Sequence, residues 1–193
     1  MKKLLLLSAT AFIVTASVNA QTPASLQSEI KLDSKVEHMV KKEKKEYRKE
    51  LRKLKGAEVS SQSKKAFMSD FGNVSGTEWS RLDNFDEATF TKDGQTKSAF
   101  YDFDSKLVGT TQNKTYADIP AKAQQSIMKH YKGYTAVDVL FYDDNELNET
   151  DMILYGNQFA DKDSYFVELT NGPKKIVVQV SMDGDVSYFT RLR

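Results

Sequence analysis

The chain has 193 residues, with 28 Lys and Arg against 27 Asp and Glu and a formal net charge of +1, enough for one domain or two small ones. It has no Cys and two His. That excludes disulfide scaffolds, thiolate metal sites, iron–sulfur clusters and Cys nucleophiles, and leaves little room for a His-rich metal centre or a His-based triad. A hydrophobic share of 39% with 11% aromatic suffices for a packed core and argues against global disorder.

Residues 1–20 read as an export signal. Lys2 and Lys3 open it, and a mostly apolar stretch runs from Leu4 to Val18, too short and too early for an ordinary membrane span. Val18-Asn19-Ala20 supplies the residues a signal peptidase reads, so cleavage is expected after Ala20, with Gln21 first in the mature chain. No later apolar stretch approaches membrane length, and no transmembrane segment is expected after cleavage. With no Cys, a lipid anchor on Cys is excluded. The mature protein is expected in the periplasm of a Gram-negative source, or secreted otherwise, held together by its core alone.

The net charge conceals an asymmetry. Residues 24–56 carry eleven basic and six acidic side chains, a net of +5, whereas residues 57–193 carry fifteen and twenty-one, a net of −6. Residues 21–62 read as a charged helical arm and linker. Between Ala24 and Lys55 there is no Pro or Gly, and Lys, Glu, Leu and Arg favour helix. The apolar residues, among them Leu26, Ile30, Val36, Val40, Tyr47, Leu51 and Leu54, form no sustained heptad. Gly56 suits a helix stop, and Ala57–Ser63 reads as a linker. Two uses of the arm stand: a solvated helical spacer laced with i, i+4 ion pairs, or contact with an anionic envelope surface. Nucleic acid is not expected, since the chain is exported and Tyr47 alone is available for stacking.

The body begins at Ser63. A helix is expected over about Ser63–Gly72, with Phe67 and Phe71 on one face. Strands follow wherever apolar residues alternate: Ala88 and Phe90; Ala99, Tyr101 and Phe103; Val137, Val139 and Phe141; Ile176, Val178, Val180 and Met182; Val186 and Tyr188. Asp93-Gly94, Asn171-Gly172-Pro173 and Asp183-Gly184 are turn signals between them. A second helix is expected from Pro120, which suits a first helical position, with Ile119, Ala123, Ile127 and Tyr131 at i+4 spacing and Gly133 as its stop.

These stretches pair up. Phe67-x-x-x-Phe71-Gly72-Asn73-Val74 matches Ile127-x-x-x-Tyr131-Lys132-Gly133-Tyr134 at an offset of 60, and Ala99–Leu107 matches Val178–Val186 at an offset of 79. The difference of 19 marks an insertion in the second copy, placed at the acidic Asp143–Asp163. The expected fold is therefore α+β, a tandem repeat of helix plus antiparallel β-meander over about 63–115 and 118–193. Helices pack on one face of the sheet, and a charged N-terminal helix precedes the whole.

The body resembles the PepSY-like, or β-lactamase-inhibitor-like, family of exported Bacteroidetes proteins. The resemblance covers about residues 60–193. It rests on Phe67-x-x-x-Phe71-Gly72-Asn73-Val74 with Glu78-Trp79; Ala99-Phe100-Tyr101-Asp102 with Leu107-Val108 and Thr110; Ile119-Pro120, Ile127, Tyr131 and Gly133-Tyr134; Tyr165-Phe166-Val167-Glu168-Leu169; and Asp183-Gly184. It implies tandem α+β repeats, an envelope location and a binding or inhibitory role. No residues match the contact loops of the inhibitor that lends the family its name, so inhibition of β-lactamase is not carried over.

Catalytic signals are thin. His38 lies in the arm and His130 sits one position off the apolar face of the second helix. There is no G-x-S-x-G and no Gly-rich phosphate loop. Asp143, Asp144, Glu146, Glu149 and Asp151 form a run that a Ca²⁺ ion or mere solvation would explain, though the spacing is not that of an EF-hand. No catalytic, cofactor-binding or metal-ligating residue is assigned, and no enzyme is expected. Within the insertion, Met152–Phe159 is either an extra strand pairing with Tyr165–Leu169 or an aromatic tip that anchors a partner. The expected partner-binding residues are Trp79, Tyr142, Tyr155 and Phe159, on a sheet whose second face is free of helices. The function expected is an exported, non-enzymatic binding module for a protein or peptide in the envelope. The alternative is a structural protein held at anionic surfaces by its basic helix.

Overall fold

The computed structural model describes residues 58–192 and, apart from them, Met39 alone, which is exposed. The chain divides into two units, Met1–Lys45 and Glu46–Arg193, and the fold below belongs to the second. The expected signal peptide and most of the expected arm lie outside the described residues.

Helix α1 (Ser61–Phe71) leads into β1 (Glu78–Arg81), β2 (Asp86–Lys92), β3 (Gln95–Tyr101) and β4 (Leu107–Lys114). A 3₁₀ turn (Tyr116–Asp118) and helix α2 (Ala121–His130) follow. Then come β5 (Thr135–Asp144), a short hairpin of β6 (Ile153–Leu154) and β7 (Asn157–Gln158), and finally β8 (Ser164–Asn171), β9 (Lys174–Ser181) and β10 (Val186–Leu192). One eight-stranded sheet runs β1-β2-β3-β4-β5-β8-β9-β10, antiparallel throughout. The fold class is α+β, with two helices and one large antiparallel sheet.

Local chemistry accounts for the ends of the elements. The Ser60 hydroxyl caps α1 by accepting from the Gln62 N–H at 3.2 Å, and Gly72, at φ 83°, closes it. Pro120 is the N-cap of α2 rather than its first residue: its ψ of 138° is extended, and the helix starts at Ala121. Asp93 and Gly94 both take positive φ (53° and 73°), the two-residue turn that fits the twist of the β2–β3 hairpin.

Two turns deserve a side-by-side description. After β3, the Asp102 N–H donates to Lys106 O and the Ser105 N–H to Asp102 O, with Ser105 at φ 61°. After β9, the Ser181 N–H donates to Asp185 O and the Gly184 N–H to Ser181 O, with Gly184 at φ 80°. Each turn meets the first turn of a helix. Ser105 hydrogen-bonds Ser63 of α1 at 3.0 Å, and Gly184 lies so close to α2 that a Cβ there would stand 3.1 Å from Lys122 Cβ and 3.2 Å from Pro120 Cβ.

Side-chain alternation divides the sheet into two faces. On one, Phe67 and Phe71 of α1 pack on Ala88, Phe90, Ala99 and Tyr101, while Ala123 and Ile127 of α2 pack on Val139, Val167, Leu169, Val178 and Val180. The opposite face was expected to be open. It is covered from β3 to β10, where Met152, Ile153, Leu154, Tyr155 and Phe159 from the segment between β5 and β8 seal Phe100, Val108, Leu140, Tyr142, Phe166, Val177 and Phe189. A single sheet buries both faces only if something lies on each. The insertion serves as that second cover, and it pairs with itself rather than adding a strand beside Tyr165–Leu169.

Three expected apolar positions fall outside, Tyr188 of β10 at 60% exposure among them. Val137 is 57% exposed because a register shift between Ala136 and Asp138 turns it out of the face it would share with Val139. Met182 is 51% exposed because β9 ends at Ser181 and the turn begins there.

The halves of the sheet join at β4–β5. There the fully buried ring of Tyr142 lies over Gly109: a Cβ on Gly109 would meet Tyr142 Cε2, its hydroxyl and the Asp143 carbonyl oxygen, each at 2.6 Å. Backbone conformation does not demand glycine there; the approach of the ring does. Gly109→Ala is expected to lower stability by about 1–3 kcal/mol through overpacking, read as a lower denaturation midpoint at unchanged m-value.

Candidate functional site

The four residues expected to face a partner lie largely inside. Tyr142 and Phe159 are buried and meet edge-to-face at 5.1 Å. Tyr155 is half-buried, at the turn of the β6–β7 hairpin, with φ 51°; its ring lies 6.3 Å from Phe166 and 6.4 Å from Phe189, and burial, then Glu168, raise the ionisation of its hydroxyl above the ordinary phenol range. The hairpin turn is thus folded down on the sheet and does not project. Trp79 is half-buried under α1, edge-on to Phe67 at 5.5 Å, with Lys64 Nζ 6.0 Å from its ring centre. The structure brings Tyr142, Tyr155 and Phe159 into one aromatic cluster and places Trp79 in another. What they share is packing.

Half-exposed chemistry collects instead between the helices. One row of cross-strand neighbours runs Phe90, Lys97, Gln112, Phe141, Tyr165, Val180 across β2, β3, β4, β5, β8 and β9. Phe90 is buried under α1 and Val180 under α2. The four residues between them are half-buried. The rings of Phe141 and Tyr165 stand 4.7 Å apart, and the Gln112 Oε1 is buried without a partner. In the adjacent row Thr110 faces Asp143. Burial and Asp163 push the Asp143 carboxyl above its usual range, and Lys97 pulls it back. Period-two alternation placed Phe141 on a strand. Phe141 belongs to none of the three apolar clusters among the described residues, whereas Tyr165 packs against the α2 cluster.

The acidic run has a structure of its own. Tyr142 directs its hydroxyl toward Asp144 Oδ1 (2.9 Å) and Val108 O (3.1 Å); burial first, and then Asp144, hold its ionisation far above the ordinary phenol range. The Asp144 N–H donates to Asp163 Oδ1 at 2.9 Å. Desolvation first, then Asp144, then Asp151 and Glu149, push the Asp161 carboxyl up to about 7. Asp161 Oδ1 is buried with no partner. The run expected at 143–151 thus acquires Asp161 and Asp163 from the far end of the insertion, visible in the sequence only as two more acids. Among the described residues no three His, Cys, Asp or Glu are arranged to hold a metal ion.

A second polar cluster escaped sequence reading altogether. Arg81 and Asp86 are direct cross-strand neighbours on β1 and β2 and form an ion pair, with side chains 9% and 0% exposed. Asp86 also accepts from the Ser63 hydroxyl at 2.7 Å and the Ser60 N–H at 3.1 Å, and the Arg81 guanidinium lies 5.8 Å from the Phe103 ring centre. It fixes the start of α1 against the β1–β2 hairpin. His130 is exposed, and His38 lies outside the described residues.

No protein-family profile matches the chain, and no curated protein is significantly similar to it. Solved structures do share the fold. A DUF2874 family protein from Bacteroides uniformis superposes with a TM-score of 0.56 at 14% identity, covering 69% of this chain and 90% of that one. A BLIP-like protein from Bacteroides fragilis gives 0.53 at 17%, covering 70% and 87%. A provisionally named periplasmic protein from Bacteroides eggerthii gives 0.54 at 13%, covering 69% and 91%. At such identities the likeness is one of fold: the chain shares the α+β architecture of these Bacteroides proteins. Among the described residues no helix is long and apolar enough to cross a membrane.

The Arg81–Asp86 pair sets a stability test. Asp86→Ala leaves a buried guanidinium unpaired and is expected to cost about 3–5 kcal/mol. The double replacement Arg81→Met with Asp86→Asn leaves no buried charge and keeps an acceptor for Ser60 and Ser63. It is expected to cost less, and urea unfolding of both variants measures the order.

Proposed function

We propose that this chain is an exported, non-enzymatic binding module that recognises a protein or peptide partner in the cell envelope. The observation that carries the proposal is the half-buried row between Phe90 under α1 and Val180 under α2, where Lys97, Gln112, Phe141 and Tyr165 combine a paired aromatic anchor with a cation and an amide. Sites of this composition suit partner recognition, because aromatics anchor and neighbouring polar groups orient. Fold likeness to a BLIP-like protein and to a provisionally periplasmic one supports an inhibitor-like role and an envelope location. The signal-like residues 1–20 support export. Tyr142 and Phe159 then serve the partner surface from beneath, as packing.

The PepSY-like resemblance and the tandem repeat belong to the same proposal. Supporting the repeat, the offset of 60 that pairs Phe67 with Ile127 also pairs Ser63 with Ala123, both fully buried, and the offset of 79 pairs Ser105 with Gly184, both at positive φ in identically bonded turns. The alternative reading, a structural protein held at anionic surfaces, rests on the net +5 of residues 24–56.

The test is affinity capture from the envelope fraction of the source cell. Phe141→Ser with Tyr165→Ser is expected to abolish recovery of the partner while leaving the thermal midpoint near wild type. A partner retained by that variant, but lost when residues 21–56 are deleted, favours the anionic-surface alternative.

A further inference from the structure

We propose that β10 is a pairing edge for a second copy of this chain, the two strands running antiparallel about a two-fold axis at Ser187, with Val186 of each copy beside Tyr188 of the other.

The sheet has two outer strands, β1 and β10. An outer strand presents a row of unpaired N–H and C=O groups, and proteins blunt such an edge by shortening or charging it. β1 is blunted in both ways: it has four residues, of which Glu78 and Arg81 carry charge. β10 has seven residues, and its stretch Val186-Ser187-Tyr188-Phe189-Thr190 carries no charge. Valine, tyrosine, phenylalanine and threonine all favour strand.

The backbone gives the direction of the open groups. The Ser181 N–H donates to Asp185 O, which makes these two residues a hydrogen-bonded pair at the start of the β9–β10 ladder. Bonded and non-bonded pairs alternate along an antiparallel ladder. Val186, opposite Val180, and Tyr188, opposite Val178, therefore turn their N–H and C=O groups away from β9, toward the open side. The register shift between Tyr188 and Thr190 lies beyond this stretch and bounds the pairing edge at that end.

The side chains fit the same pairing. Val186 and Tyr188 share the α2 face with Val180 and Val178. Val186 is half-buried there, whereas Tyr188 is 60% exposed. With the axis at Ser187, the Tyr188 ring of each copy lies against Val186 of the other, an aromatic beside a β-branched residue, and both pairs exchange main-chain hydrogen bonds.

Charge selects the occupant. The strand is preceded by Asp183 and Asp185 and closes near Arg191, all three exposed. Lys122 engages Asp185, while neither Asp183 nor Arg191 takes part in an ion pair among the described residues. A strand acidic at its start and basic at its end complements itself when antiparallel and repels itself when parallel. Asp183 and Arg191 each lie four residues from Ser187. The axis there sets Asp183 of each copy across from Arg191 of the other.

Sedimentation velocity of the full chain over a dilution series tests the pairing. A monomer–dimer equilibrium without larger species is expected, because a two-fold contact occupies both edges. Tyr188→Pro removes an outward N–H and no bond to β9, and is expected to leave monomer with the far-UV spectrum of wild type. The charge reversals test the register on exposed residues. Asp183→Lys is expected to weaken the dimer by at least about tenfold, and Asp183→Lys with Arg191→Asp to restore it. A wild-type chain that stays monomeric overturns the proposal, including one whose edge captures an extended peptide of another protein. So do a dimer that survives Tyr188→Pro, a weakened dimer that the double reversal fails to restore, and open-ended assembly.

Discussion

The ring of Tyr142 over Gly109 is the contact on which the rest of the molecule turns. β4 and β5 are the strands through which the two halves of the sheet meet, and at their seam a glycine admits an aromatic ring that no larger residue would tolerate. The consequences run in two directions. The ring anchors the aromatic cluster of the covered face, meeting Phe159 from the insertion edge-on. The hydroxyl, reaching Val108 O and Asp144 Oδ1, ties that apolar cluster to the acidic group beside it. Packing and charge are therefore coupled at one residue, and whatever loosens the insertion acts on both.

An antiparallel sheet with helices on one face ordinarily leaves the other to solvent. Here the second face is rich in aromatics, and the chain supplies its own cover. That assigns the 145–163 segment a folding role before any binding role, since removing it would expose Phe100, Leu140, Phe166 and Phe189 together. A cover made from one short hairpin has few hydrogen bonds of its own, β6 and β7 pairing through only two registers. Its hold depends on apolar contact and on its two polar ends.

Much of the fold was legible in the sequence because it rests on short-range patterns. Period-two runs pointed to β2, β3 and β9, i, i+4 spacing to the α1 and α2 faces, and Asp93-Gly94 to its hairpin. Where the pattern misled, a local event intervened: the register shift that turns out Val137, and the end of β9 before Met182. The site was less legible. Large aromatics in an insertion read as exposed anchors, yet Tyr155 and Phe159 are where they are because the sheet face beneath them needs covering. Arg81 with Asp86, and Asp144 with Asp161, are five and seventeen positions apart in sequence. Their meaning comes from strand pairing and from the return of the insertion, which no periodicity encodes.

On the tandem-repeat reading, the helix-to-turn junctions show how the two copies have parted. In the first, Ser63 and Ser105 meet through hydroxyls and share a buried network with Asp86 and Arg81. In the second, Ala123 and Gly184 occupy the same places, the turn presses directly on α2, and the ion pair Lys122–Asp185 sits outside in solvent. An exposed pair of that kind contributes little, whereas the buried pair in the first copy is costly to disturb from either side. One junction is thus held by polar satisfaction and the other by close packing. Between them the half-buried row of Lys97, Gln112, Phe141 and Tyr165 crosses β3, β4, β5 and β8, from Phe90 under α1 to Val180 under α2, so the seam where the halves of the sheet join is also where long side chains are only partly buried.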